Sequence, residues 1–385
     1  MAEVPELHSD VIGEIVKRID TVEDLAVVSR VCSSWRLAAL KEENWVSGRQ
    51  LPWLVLPETK EEDESKSSRG FFSLYKNKRY DLDVPELRGC RIWGSNHGWI
   101  VAFGLDLQIH LVNPLSRSKF SLPPHSTFKH QRPKYHPSPQ WYREAFIHKA
   151  LVLKRPNLSG QQLLVAALYG RCNYLAIARP GDETWTEVES EYRCRPSRTI
   201  QDVACCNGQI FALGSCGTLL LCEFDGPKPP NSIIFAPPPA DIKSANKLYL
   251  VESMGDLLMV VRVVDEDDDY GYYSDYETYA FDVHQFDFKT KEWTELYDLG
   301  DRALFIGDSY SMCLSSTEVA GCVGNRIYFT DDNFEQWDRD NYGGHESGVY
   351  DMEEFTIDRL PLPNCIGDRL RSAFECPVWL MPSLF

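Results

Sequence analysis

Residues 206–213 read CNGQIFAL, a Gly-containing turn followed at once by a short apolar strand, and this arrangement returns along the chain. It recurs in SNHGWIVAF (95–103), SGQQLLVAAL (159–168), MGDLLMVV (254–261) and GNRIYFT (324–330). Asn-Gly and related pairs suit the positive backbone angles of a two-residue hairpin turn, and the β-branched and aromatic runs behind them favour strands. Two of the intervals are close to 47 residues, and polar insertions lengthen the others. A second echo lies in Thr184-Trp185-Thr186-Glu187 and Glu292-Trp293-Thr294-Glu295, a Trp opening a later strand each time. A period of about 40 to 50 residues with four strands per unit is the pattern of a β-propeller. Five units fit between residues 91 and 360, leaving a strand pair at 71–84 and a tail at 376–384. These two remnants are expected to combine into a composite blade that closes the ring, giving six blades of four strands. A β-sandwich is the alternative, and it leaves the repeating turns unexplained.

Upstream the pattern changes to a helical one. In residues 10–20, Val11, Ile12, Ile15, Val16 and Ile19 recur at three- and four-residue intervals, behind Ser9 or Asp10 as a cap. Thr21 with Asp24 three residues on reads as a capping box for a second helix carrying Leu25, Val28 and Val31. Ser33 or Ser34 then starts a short third helix with Trp35, Leu37 and Leu40. Three short helices in about forty residues cannot bury their apolar faces alone. They must pack on the rest of the chain as a cap, or on a partner. Residues 60–69, KEEDESKSSR, read as an exposed hinge, and LPWLVLP (51–57) as an apolar run at the seam between two modules. The expected organisation is a helical module at 1–45, a linker and seam at 46–70, and the propeller at 71–385.

The helical stretch resembles an F-box, the motif that docks on a Skp-family adaptor of cullin ubiquitin ligases. The likeness lies in Leu7, the Val11/Ile12/Ile15/Ile19 stripe, Asp24-Leu25 and the ending Val31-Cys32-Ser33-Ser34-Trp35-Arg36. It departs from the pattern at His8, where a Pro usually follows the Leu. Carried over, the resemblance implies adaptor contacts at Leu7, Val11, Ile12, Ile15, Leu25, Val28 and Trp35, with Ile19 and Cys32 internal. LPWLVLP, GSNHGWIVAF, LVNPLSR, LYLVESMGDLLMVVR, GDRALFIGDSYSM and GCVGNRIYFTDD together resemble the plant F-box proteins with a C-terminal, kelch-like β-propeller. The implied role is the substrate-recognition subunit of an SCF-type E3 ubiquitin ligase, linked through a Skp-family adaptor to a cullin and binding a protein target. The alternative is a propeller scaffold without a ligase role.

The 385 residues carry a net charge of −17, which opposes binding to nucleic acid and to anionic membranes. The one basic cluster, residues 129–134 with His125, His130 and His136 nearby, is short and set among prolines. The opening MAEVPELHSD has neither the basic nor the apolar region of a signal peptide, and no apolar run is long enough to cross a bilayer. The expected location is the cytoplasm or nucleus, where the 12 Cys stay reduced and the Asn157-Leu158-Ser159 sequon carries no meaning.

Motifs for bond chemistry are missing. No C-x-x-C, G-x-S-x-G, phosphate-binding Gly-rich loop or H-E-x-x-H occurs; residues 214–217 have the wrong spacing and residues 307–311 lack the last Gly. Asp338-Arg339-Asp340-Asn341-Tyr342-Gly343 begins like a calcium loop but has Tyr342 and Val349 at ligand positions. His97, His110 and His284 read as structural. No cofactor, no metal and no catalytic residue is predicted. The most unusual segment is DEDDDYGYYSDYE (265–277), whose dense like charges read as a solvated insertion. Its functional reading is capture of a basic target through Asp267, Asp268, Asp269, Tyr270 and Tyr272.

Overall fold

The computed structural model describes residues 7–47, 50–58, 67–131, 137–157, 160–192, 198–224, 229–240, 242, 247–266, 276–332, 346–367, 372 and 375–384. Three helices, α1 (Ser9–Val16), α2 (Val22–Val28) and α3 (Ser33–Ser47), precede six sheets arranged as propeller blades. Blade 2 holds Arg91–Trp93, Ile100–Phe103, Ile109–Val112 and Lys119–Ser121. Blade 3 holds Ile147–Asn157, Gly160–Tyr169, Tyr174–Ala178 and Thr186–Glu187. Blade 4 runs Ile200–Cys206, Gln209–Gly214, Leu219–Glu223 and Asn231–Ala236, with Glu189–Ser190 added in parallel at its outer edge. Blade 5 holds Lys247–Ser253, Asp256–Glu266, Tyr276–Asp287 and Glu292–Glu295.

Blade 1 is the composite one. Trp53–Val55 pairs on one side with Ser68–Ser73, which pairs in turn with Lys78–Asp83. On its other side it pairs antiparallel with Val378–Leu380, with Trp53 opposite Leu380 and Val55 opposite Val378. The expected closure by residues 71–84 and 376–384 is therefore present, with one addition. The run at 51–57, read from the sequence as linker and seam, supplies the strand that joins the two.

The last blade departs from the repeat. Blade 6 is ordered Met312–Ser315, Arg302–Ile306, Arg326–Phe329, Gly348–Asp351 and Thr356–Arg359. The turn at Gly324-Asn325 does not close a hairpin there, because Arg326–Phe329 runs parallel to Arg302–Ile306. The hairpin Asn207-Gly208 in blade 4 does follow the expectation, with φ of 51° and 74°. Both Trp echoes fall where the pattern put them, Trp293 in the outermost strand of blade 5 and Trp185 just before that of blade 3. Trp185 stacks on Phe128 with centroids 4.5 Å apart.

Alternate residues of each strand face opposite neighbours, so every blade feeds two interfaces. In blade 1, Leu54, Phe72 and Trp379 join Phe305 and Tyr328 of blade 6. Trp53, Val55, Phe71, Val378 and Leu380 turn the other way, into a cluster with Ile92, Ile100 and Val112 of blade 2. The helices are seated on this second cluster, through Ile12, Val16, Val22, Leu25, Ala26 and Ala39.

Candidate docking face

The three helices present two apolar faces. His8, which stands where the F-box resemblance expects Pro, caps α1 through Nδ1, which accepts the Asp10 N–H at 3.5 Å. Thr21 caps α2 as the sequence predicted: its oxygen accepts the Asp24 N–H at 3.3 Å and its hydroxyl donates to Asp24 Oδ2 at 2.6 Å. That hydroxyl, with Lys76 nearby, holds the Asp24 carboxyl below the ordinary range. Helix α3 is longer than the short one predicted, running 15 residues.

Polar ties fix the inward face. Arg30 Nη2 donates to the Leu115 carbonyl of blade 2 at 2.8 Å. Lys76 Nζ, in the turn between two strands of blade 1, donates to Thr21 Oγ1 at 3.1 Å and lies 3.5 Å from Asp24. Gln50 Nε2 donates to the Asp20 carbonyl at 2.9 Å. The helical module is thus a seated cap, and its outward face is a separate matter.

On that outward face Leu7, Val11 and Ile15 form an exposed stripe at four-residue spacing, and Val27, Val31 and Leu37 are exposed as well. The predicted contact set therefore divides. Leu7, Val11 and Ile15 face outward. Ile12 and Leu25 are 2% and 0% exposed inside the cluster shared with the propeller, so they hold the seat and do not belong to a free docking surface. Val28 and Trp35 are half-buried against the same cluster, and Ile19 packs there too. Cys32, expected inside, is exposed. Val27, at 66% exposed, Val31 and Leu37 are exposed apolar residues outside the predicted contact set. The four-residue spacing of Val27 and Val31 was the available signal, obscured by the equally apolar Leu25 and Val28 between and beside them.

The ring axis was the other place to look for a site. The innermost strands are Val378–Leu380, Arg91–Trp93, Ile147–Asn157, Ile200–Cys206, Lys247–Ser253 and Met312–Ser315, each next to the following one. Charged side chains fill the space among them in matched pairs. Arg91 Nη2 lies 3.0 Å from Asp308, Lys149 Nζ 3.0 Å from Asp202, and Asp332 lies 3.1 Å from both Lys247 and Arg262. Burial pushes the carboxyls of Asp202 and Asp308 upward despite their cations. Burial acts the same way on Asp332, but Lys247, Arg262 and Lys149 outweigh it and hold that carboxyl low. Tyr249 donates its hydroxyl to Asp332 at 3.0 Å. Each of these buried carboxylates has a cation beside it, an arrangement that fixes the geometry of the ring axis.

The near-miss motifs have structural roles. Ser309 Oγ accepts the Trp379 N–H at 2.9 Å, and Ser215 Oγ accepts the Thr199 N–H at 3.2 Å. Burial pushes the thiols of Cys90, Cys206 and Cys222 up to about 12. From the basic cluster, Lys129 and His130 both reach Glu187, at 3.1 and 2.8 Å. No group of three or more His, Cys, Asp or Glu suited to a metal ion occurs among the described residues. None of their helices is long and apolar enough to cross a membrane. Asp267, Asp268, Asp269, Tyr270 and Tyr272, and the run 338–343, lie outside the described residues.

Two family models match the chain: the F-box domain over residues 4–47 and the KIB1-4 beta-propeller over residues 71–351. The second match spans most of the chain and covers blades 2 to 5 whole, with parts of blades 1 and 6. The chain belongs to the KIB1-4 beta-propeller family. It is a plant F-box protein with a propeller, and F-box proteins of Arabidopsis thaliana are among its relatives. The F-box protein SKIP23 is 24% identical, with 99% of this chain and 96% of that one aligned. The F-box protein At2g17036 is 26% identical, with 98% and 94% aligned. In this KIB1-4 family member the boundary between the two matches falls on the composite blade: Trp53–Val55 precedes the second match and Val378–Leu380 follows it.

Proposed function

We propose that this F-box protein is the target-recognition subunit of an SCF-type ubiquitin ligase. Its outward helix face would bind a Skp-family adaptor, and through it a cullin, while the propeller binds a protein target. The observation that carries this reading is the exposed stripe Leu7, Val11 and Ile15, with Val27, Val31 and Leu37, on helices whose other face is already occupied. A module needed only as a cap gains nothing from a second apolar face. Burying the rest of each half-exposed side chain contributes roughly 1 kcal/mol, so the set suits a protein partner. The receptor itself makes and breaks no bonds; it raises the concentration of its target near the ubiquitin-charged enzyme. The expected site of action is the cytoplasm or nucleus.

A propeller scaffold without a ligase role is the second reading, favoured by the firm seating of the helices on blades 1 and 2. Titrating the full chain with a purified Skp-family adaptor decides between them. A saturable one-to-one complex is expected. No complex at adaptor concentrations well above those of the cell would leave the scaffold.

A further inference from the structure

The seat of the helices is also the closure of the ring. Blade 1 has its fourth, innermost strand only when Val378–Leu380 has paired with Trp53–Val55. The tail around that strand ties three blades together. Trp379 donates its N–H to Ser309 Oγ at 2.9 Å and its indole N–H to the Ile306 carbonyl of blade 6 at 3.0 Å. Met381 N–H donates to the Ser95 carbonyl at 2.9 Å, and Asn113 Nδ2, in the turn between the two outer strands of blade 2, donates to the Ser383 carbonyl at 2.9 Å. Arg69 of blade 1 holds Glu375, just ahead of the strand, at 2.7 Å. The tail approaches so closely that a Cβ at Gly94 would overlap the Trp379 carbonyl oxygen.

Helix α2 and the segment after it rest on the two blades that this tail joins, through Lys76 on blade 1 and the Leu115 carbonyl on blade 2. Val378, Leu380 and Leu384 of the tail share one buried cluster with Ile12, Val16 and Leu25 of the helices. Helices of 8, 7 and 15 residues are too short to persist without such packing. We infer that closure of the propeller controls presentation of the F-box: the helices take up their docking conformation only after residues 375–384 complete blade 1. The device keeps a chain with an open ring, and so an unfinished target-binding surface, from recruiting an adaptor. The adaptor consequence rests on the proposed function, whereas the coupling of helices to closure can be read without any adaptor.

Hydrogen exchange followed by mass spectrometry tests it on the full chain, a chain lacking residues 376–385, and Gly94→Ala. In both variants protection across residues 9–47 should fall about tenfold or more, and apparent affinity for the adaptor should fall in proportion to the fraction of chains whose helices remain seated. Peptides from blades 3 to 5 should keep their protection. If the truncated chain loses protection there as well, Gly94→Ala carries the test, since it disturbs only the tail's approach. Full protection of residues 9–47 while residues 68–83 exchange freely would overturn the inference. Should no protein bind adaptor, yet protection of 9–47 fall when closure is lost, the ligase role fails and the coupling stands.

Discussion

Replacing Val11 with aspartate separates docking from folding more cleanly than any other single change in the helices. Val11 is 46% exposed and lies in the first turn of α1, at the positive end of the helix dipole. An acid there gains about 0.3–1 kcal/mol from the dipole. It loses a few tenths of a kcal/mol to Glu14, one turn on, and helix propensity hardly changes. The fold should therefore keep its stability to within about 0.5 kcal/mol. Docking is another matter. Losing burial of the exposed half of a valine forfeits about 1 kcal/mol, and sinking a short carboxylate into an apolar interface adds several more. Taking about 3 kcal/mol as the floor, adaptor affinity should drop on the order of a hundredfold. The companion change Ile12→Asp buries an unpaired charge in the cluster under the helices and should unseat them. Calorimetric titration with a Skp-family adaptor, beside thermal unfolding of each variant, reads both effects. An affinity for Val11→Asp within twofold of the parent would refute the outward stripe as the docking face.

The axial charges and the closing blade give two further expectations. Arg262 reaches Asp332, both Thr278 and the Thr330 carbonyl, and the face of Phe329, so Arg262→Ala leaves Asp332 buried with Lys247 as its close cation. Unfolding in urea should show a loss of about 3–5 kcal/mol, with adaptor binding intact below the transition; a loss under about 1 kcal/mol would contradict the network's role. Glu375 is fully buried and pushed up to about 7, by burial first, with Arg69 opposing. Because its folded value is raised above the ordinary 4.5, its contribution is complete below that pH and is lost as pH rises through 7. Raising the pH from 5.5 to 8 should therefore cost about 2 kcal/mol in the parent and less in Glu375→Gln, and equal pH slopes in the two proteins would refute this.

Much of the propeller was legible because its information is local. Asn207-Gly208 announces a hairpin by backbone chemistry alone, and the strand behind it by its side chains. Blade 6 shows the limit of that signal. Gly324-Asn325 looks the same in sequence, yet the strand after it runs parallel to Arg302–Ile306, because Met312–Ser315 has taken the innermost place. Nothing near Trp53–Val55 reveals that its partner is Val378–Leu380, so an apolar run between two prolines read as a seam. The docking face was half legible for a different reason. Val11 and Ile12 are neighbours of equal polarity pointing about a quarter-turn apart on the helix, and only the position of blades 1 and 2 decides which is hidden. Sequence patterning separates apolar from polar; it does not separate an apolar surface that the fold covers from one that it leaves exposed.

The two-faced helices also set a rule for transplantation. An F-box cut at its sequence boundary and fused to a foreign propeller would bring Leu7, Val11 and Ile15 unaltered, yet arrive with Ile12, Val16, Val22 and Leu25 shaped for blades it no longer meets. A working chimaera must therefore be cut along the interface rather than along the chain, carrying blade 1, both strands of its closure, and the Leu115 turn as part of the graft. For this protein the exchangeable unit is a patch of surface, and the motif named by the sequence is only half of it.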